Sequence, residues 1–262
     1  MSEARHYRTI WLSDIHLASR GCKAEFLLDF LKYHDCDLLY LVGDIIDGWR
    51  IRKGPFWVQS HNDVVQKLLR KARKGTQIFY LPGNHDEALR QFREMQFGGI
   101  TFADEMVHRT ADGKHYLVLH GDKFDAVVLN ARWLALLGES TYDFALWLNT
   151  WFNFFRRKLG FSYWSLSGFL KQRTKQALQF ITNFKLTLAA EAHRRGLDGV
   201  ICGHLHHAEL HNIDGVQYCN TGDWVENCTA LVEHADGRLE IIEWAFTHDA
   251  PEELPAETTR MA

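Results

Sequence analysis

Five short polar motifs, each following a run of apolar residues, constrain this chain more than any other feature. They are Asp14-Ile15-His16, Gly43-Asp44, Gly83-Asn84-His85-Asp86, His120-Gly121-Asp122 and Gly203-His204-Leu205-His206. The apolar runs before them are Thr9–Leu12, Leu38–Val42, Gln77–Leu81, Tyr116–Leu119 and Gly199–Cys202, short and continuous, as strands buried on both faces are. Helical spacing over Lys23 to Tyr33 and His61 to Lys74 separates the first three runs, and strand-helix alternation of this kind predicts an α/β layered domain. A single Gly-Asp or Asp-x-His marks nothing beyond a turn. Five in series, each at a strand end, predict convergence, because the functional crevice of an open α/β sheet lies at the carboxyl ends of its strands.

The residue types define the chemistry expected there. Asp14 and His16 stand two apart, which in extended chain directs both side chains to one face, where a carboxylate and an imidazole bind one cation. Asp44 supplies a carboxylate able to bridge two metals. Asn84, His120 and His204 complete the shell of the second ion, and His206 closes the first. Oxygen and nitrogen ligands without thiolate select Mn²⁺, the first expectation, or Fe²⁺ or Zn²⁺, over Mg²⁺ and Ca²⁺. Two divalent ions about 3.5–4 Å apart lower the pKa of a shared water and clamp phosphoryl oxygens, so hydrolysis at phosphorus by metal-bound hydroxide is the expected reaction. His85 follows a ligand and cannot share its direction. It is assigned to catalysis, donating to the phosphoryl group or protonating the leaving oxygen, with Asp86 holding its tautomer. Asn84 and His85 thereby also face the substrate. Asp122 either braces His120 or caps the helix that follows. His61, His108, His207 and His211 are read as ordinary polar or core histidines.

The chain has 262 residues, 46% hydrophobic and 24% charged, enough for one large core with an insertion. A net charge of −3 argues against a nucleic-acid-coating protein, and no nucleic acid partner is expected. The five cysteines lack CxxC spacing and are read as reduced thiols, consistent with a cytoplasmic protein. No apolar run reaches the ~20 residues of a membrane span. Residues 1–124 and 196–247 form the expected catalytic core, 125–195 a helical cap without strand-like runs, and 248–262 a mobile tail. The stretch from His207 to Phe246, with shorter alternating runs, is expected to supply antiparallel strands of a second sheet. The insertion is rich in Trp and Phe. It either surrounds acyl chains or only packs, and Arg156, Arg157, Lys171, Arg173 and Lys175 are the candidates there for contact with phosphates or an anionic membrane surface.

The five motifs match the signature of the calcineurin-like metallophosphoesterases, which the chain resembles over nearly its whole core. The resemblance implies an αββα sandwich with a dinuclear centre, one metal on Asp14, His16, Asp44 and His206 and the other on Asp44, Asn84, His120 and His204. Within that superfamily the chain is most similar to the UDP-2,3-diacylglucosamine diphosphatase branch, on the strength of the insertion between His120 and Gly203 and of Asn220-Thr221-Gly222-Asp223-Trp224. This implies a nucleotide-lipid pyrophosphate substrate and peripheral association with the cytoplasmic face of the inner membrane. The chain departs from that branch at His85, where the branch carries Arg, and at Lys123–Val127. A phosphodiesterase acting on cyclic nucleotides or other small esters is the alternative reading. A non-catalytic scaffold is the third, and its mark, degenerate ligands, is missing.

Overall fold

A computed structural model of the chain describes residues 4–54, 56–127 and 166–244, with the side chains of 125–127 and 166–177 left undescribed. Arg156 and Arg157 therefore lie outside the described residues, as does the expected tail, and of Lys171, Arg173 and Lys175 only the backbone is described. The chain divides into two compact units, 1–122 with 189–262, and 123–188.

Among the described residues, twelve strands build two sheets in the first unit. Seven form one sheet in the order β12 (Leu239–Glu243), β11 (Thr229–Glu233), β1 (Arg5–Leu12), β2 (His34–Val42), β3 (Gln77–Leu81), β5 (Ile100–Phe102) and β4 (Gln96–Phe97). The other holds β6 (Met106–Arg109), β7 (His115–Val118), β8 (Gly199–Cys202), β10 (Val216–Asn220) and β9 (Glu209–Ile213) in that order. Both are mixed. β1, β2 and β3 run parallel, as do β7, β8 and β10, whereas β11, β12, β4, β6 and β9 pair antiparallel. Helices flank the sheets, giving the α/β sandwich expected.

The alternation of each strand distributes its side chains between two apolar layers. Ile10, Leu12, Leu39, Leu41, Ile78 and Tyr80 join Leu27, Phe30 and Leu31 of α1 (Ala24–Tyr33) and Val64 and Leu68 of α3 (Gln59–Arg73) in the layer between sheet and helices. Trp11, Tyr40, Val42 and Leu81 point the other way, onto Tyr116, Val118, Ile201 and Cys219 of the second sheet. Double-sided burial is what demands continuous apolar runs in these strands rather than alternating ones. A short α2 (Gly48–Lys53) follows β2, and α4 (Leu166–Arg194) precedes β8.

The stretch after His207 behaves differently from the sequence expectation. β9 and β10 do enter the second sheet, but β11 and β12 return to the first, where Thr9, Ile10 and Trp11 of β1 pair with Glu233, Val232 and Leu231. β11 is buried along its whole length, as an interior strand must be. All five cysteines are free and buried.

Candidate metal centre

Beyond the last residues of β1 and β2 the two chains continue side by side. Asp14 N donates to Gly43 O (3.0 Å), His16 N to Asp44 O (2.9 Å), Leu17 N to Ile45 O (2.9 Å) and Asp47 N to Leu17 O (2.7 Å). The backbone here is not extended. Asp14 (φ 51°), His16 (φ 52°) and Asp44 (φ 54°) are left-handed, as are His204 (φ 72°) and His206 (φ 54°) across the cavity. The shared direction of Asp14 and His16 thus comes from two left-handed residues and not from the two-residue period of a strand. Such backbone costs about 1–3 kcal/mol at each non-glycine position, and five instances concentrated here are strain held in place by the flanking strands.

Two sets of side chains meet in this loop cluster. Asp14, His16 and His206 present donor atoms that all lie within 4.8 Å of one another, and so do Asp44, His120 and His204. Asp44 joins the sets: its Oδ2 stands 3.4 Å from His120 Nε2 and 3.9 Å from His16 Nε2, while its Oδ1 accepts from His85 N at 2.8 Å. Asp14 Oδ2 is held by Ser13 Oγ (2.5 Å) and His204 N (2.9 Å), leaving Oδ1 to face His206 Nε2 at 3.2 Å. His120 turns Nδ1 to the carbonyl of Val42 (2.8 Å), which commits Nε2 to the cavity. Asp14 Oδ1, His16 Nε2, Asn84 Oδ1 and His120 Nε2 are buried without a well-aligned hydrogen-bond partner. A buried polar atom left unsatisfied costs about 1–3 kcal/mol, so four such atoms on proposed ligands are what a pair of cation sites requires and a packed core avoids. The motif glycines keep this space open. A Cβ on Gly83 would lie 2.3 Å from Asp44 Oδ1, and one on Gly203 would lie 2.5 Å from Asp14 Oδ2.

The electrostatics point the same way. Burial alone would raise the pKa of Asp14, but the nearby His206 ring and the charges of His120 and His16 hold it well below the carboxylate range. Asp44 is likewise held down against burial, chiefly by His120. Burial would depress His120; the Asp44 carboxylate, with Asp14 and Asp122, outweighs it and pushes the imidazole up to about 10. His206 is raised against burial by Asp14. The carboxylates thus favour positive charge on the imidazoles that face them, the place that divalent cations would take.

Three carboxylates around the site behave differently from expectation or were absent from it. Asp86 does not hold His85. Its oxygens accept from Tyr80 Oη (2.5 Å), Gly83 N (2.6 Å), Ile45 N (2.9 Å) and Asp44 N (3.3 Å), so it ties the loop after β3 to the loop after β2. The carboxylate beside His85 is Asp47, unassigned in the sequence reading, with Oδ1 at 3.1 Å from His85 Nδ1 and Oδ2 at 3.5 Å from His16 Nδ1. Burial raises the Asp47 pKa, but His16, His85 and Arg50 N together draw it far down. His16, Asp47 and His85 in fact satisfy the same 4.8 Å criterion as the two sets above. Asp122 does not brace His120. Both its oxygens take Arg90 Nη2 at 2.8 Å, and that nitrogen also donates to Pro82 O at 3.1 Å, so Arg90 clamps the loop bearing Asn84 to the loop bearing His120. At the rim, Trp49 packs on the His85 ring with centroids 4.1 Å apart. Asp223, fully buried, holds Val225 N, Glu226 N and Asn227 N and lies 4.0 Å from His206 Nδ1. Two of the histidines read as ordinary take other partners: His61 accepts from Ala18 N and His108 contacts Glu233.

A two-sheet sandwich with paired aspartate, histidine and asparagine donors at its strand ends defines a metal-dependent hydrolase, and the chain belongs to the calcineurin-like phosphoesterases, whose family model matches residues 7–208. Among curated relatives, a UDP-2,3-diacylglucosamine hydrolase of Xanthomonas campestris pv. campestris is 26% identical over 245 residues, 87% of this chain and 96% of its own. One of the same name from Shewanella pealeana is 24% identical over 91% of this chain and 99% of its own. An archaeal phosphodiesterase of known structure covers 89% of this chain and 98% of its own at 13% identity with a TM-score of 0.43, a loose likeness on which no assignment rests.

Proposed function

We propose that this hydrolase cleaves the pyrophosphate bond of a nucleotide-linked lipid of the UDP-2,3-diacylglucosamine type, releasing UMP and a lipid phosphate. The observation that carries the chemistry is Asp44 Oδ2, poised 3.4 Å and 3.9 Å from the inward nitrogens of two separate donor sets. The substrate class rests on the two relatives of that name, each aligned over nearly the whole chain. Asp14, His16, Asp44 and His206 would hold one divalent cation and Asp44, Asn84, His120 and His204 the other, with Mn²⁺ first and Fe²⁺ or Zn²⁺ admitted by the same donors. When bound, such a pair polarises the phosphoryl group and supplies a water acidic enough to attack at neutral pH.

The remaining work falls to the chain. Asp47 beside Nδ1 of His85 favours a proton on that nitrogen and presents Nε2 toward the cavity, 4.0 Å from Asp44 Oδ2. When the ring carries a proton on both nitrogens, Nε2–H donates to a phosphoryl oxygen or passes its proton to the departing one as the P–O bond breaks, which leaves the neutral ring with its proton on Nδ1 beside Asp47. Trp49 restrains the ring from the solvent side. We place the reaction at the cytoplasmic face of the inner membrane, where such a lipid is presented. Among the described residues no helix is long and apolar enough to cross a membrane.

The test is purified protein with Mn²⁺ assayed against UDP-2,3-diacylglucosamine and a simple phosphodiester in parallel, following UMP. Preferred turnover of the lipid is expected. Faster turnover of the diester would refute the substrate reading and leave the phosphoesterase.

A further inference from the structure

The segment between β2 and α3 presents large apolar side chains to solvent at the mouth of the site. Trp49 is 36% exposed, Ile51 42%, Trp57 39% and Val58 38%. Interleaved with them are the exposed Arg50, Arg52 and Lys53, and no acidic residue occurs from Gly48 to Gln59. Arg20, on the loop after β1, adds a guanidinium 4.5 Å over the Phe56 ring.

The segment is anchored to the catalytic loops at both ends. Gly48 N donates to His85 O at 3.0 Å and Trp49 packs on the His85 ring. Farther along, Phe56 and Trp57 contact the ring of His61, whose Nδ1 accepts from Ala18 N, two residues beyond His16. The aromatic residues and cations are thus carried on one rim beside the metal centre, held by its own loops. A single exposed Leu or Val on a protein surface signifies nothing. Trp49 and Ile51 alternating with Arg50 and Arg52, Lys53 next to them, and Trp57 and Val58 farther along, without an acid among them, match the chemistry of an anionic lipid interface. There Trp settles at headgroup depth, aliphatic side chains enter the acyl boundary and Arg and Lys stems lie along apolar surface with their charges at the phosphates.

We propose that this rim, Trp49 to Lys53 with Phe56 to Val58, docks the enzyme on an anionic phospholipid surface and so sets the metal centre at the headgroup plane. This rests on the nucleotide-lipid reading above and names where the membrane meets the protein. Each basic residue beside such a surface strengthens partitioning about fivefold, so Arg50, Arg52 and Lys53 together contribute about 100-fold at low salt, and that part is screened as salt rises.

The experiment is cosedimentation of the full chain with phosphatidylcholine vesicles, with and without phosphatidylglycerol at about one third of the lipid. The wild type is expected to bind the anionic vesicles and to be released by salt. Ile51→Asp combined with Val58→Asp, neither residue touching the metal centre, is expected to weaken binding at least tenfold while the circular dichroism spectrum and turnover of a soluble diester stay as in the wild type. Undiminished binding of that variant, or a wild type indifferent to anionic vesicles, would overturn the proposal. Assaying UDP-2,3-diacylglucosamine in detergent micelles separates the two readings. Cleavage in micelles without vesicle binding removes the docking rim alone, whereas vesicle binding through the rim without cleavage upholds it and removes the substrate.

Discussion

Gly83→Ala adds one methyl group where the two loops of the second donor set touch. Gly83 is not in left-handed backbone, so alanine is conformationally acceptable there, and the whole effect is what its Cβ meets. That atom would lie 2.3 Å from Asp44 Oδ1 and 2.6 Å and 2.7 Å from Cδ2 and Nε2 of His120. Against an ordinary contact of 3.4 Å, the first is short by about 1.1 Å. Asp44 and His120 cannot both stay in place. Metal sites tolerate about 0.2 Å in ligand distance, and a 1 Å misplacement at a reacting centre costs about 10²-fold in rate. Overpacking of this kind costs about 1–3 kcal/mol of stability, offset in part by about 0.4–1 kcal/mol from a less flexible unfolded chain. The expected variant is folded, within about 3 kcal/mol of the wild type by denaturant titration, binds fewer than two Mn²⁺ by calorimetry, and turns over at least 100-fold more slowly. Two tight Mn²⁺ sites together with an unchanged kcat would show that the loops around Gly83 do not form a metal site.

Four further outcomes are expected. His85→Ala should retain metal while losing about 10²–10⁴-fold in kcat, and Asp47→Asn should lose about 10–100-fold with a displaced pH profile; unchanged rates on a substrate with a poor leaving group would remove both from catalysis. Arg90→Ala, which strands the Asp122 carboxylate, should cost about 2–3 kcal/mol and weaken Mn²⁺ binding at the set containing His120, with partial recovery in Arg90→Lys; intact metal affinity would reduce the clamp to a structural contact. Glu233, buried where Arg8, Thr9, His108 and Ala111 N converge, has a pKa that burial raises but these bonds bring below the ordinary glutamate value. Its folded pKa being depressed, its stabilisation is present above the unfolded value and is lost as pH falls through the folded one. Denaturation of Glu233→Gln at pH 7 and below pH 4 should therefore show a smaller acid-side loss than the wild type, and identical slopes would contradict it.

By itself the sequence determined which residues gather. Asp14, His16, Asp44, Asn84, His120, His204 and His206 each follow an apolar run, and in an α/β sheet such positions converge whatever the details of packing. It also marked the strands buried on both faces, since Trp11 and Ile10, or Tyr40 and Leu39, are apolar neighbours that only two layers can bury. What it could not determine was which partner each carboxylate takes, because spacing encodes direction only once backbone conformation is known. The left-handed Asp14, His16 and Asp44 void the strand period in their own loops, and Asp86, next in sequence to His85, turns to Tyr80 and Gly83, while Asp47 from another loop reaches the ring. One signal for Asp47 was present, a second aspartate three residues after Asp44, but nothing local tied it to His85. Asp122 was likewise claimed by Arg90 from a different loop. The return of β11 and β12 to the first sheet was decided by tertiary structure too, because a short strand-like run specifies which faces are buried but not which sheet it joins.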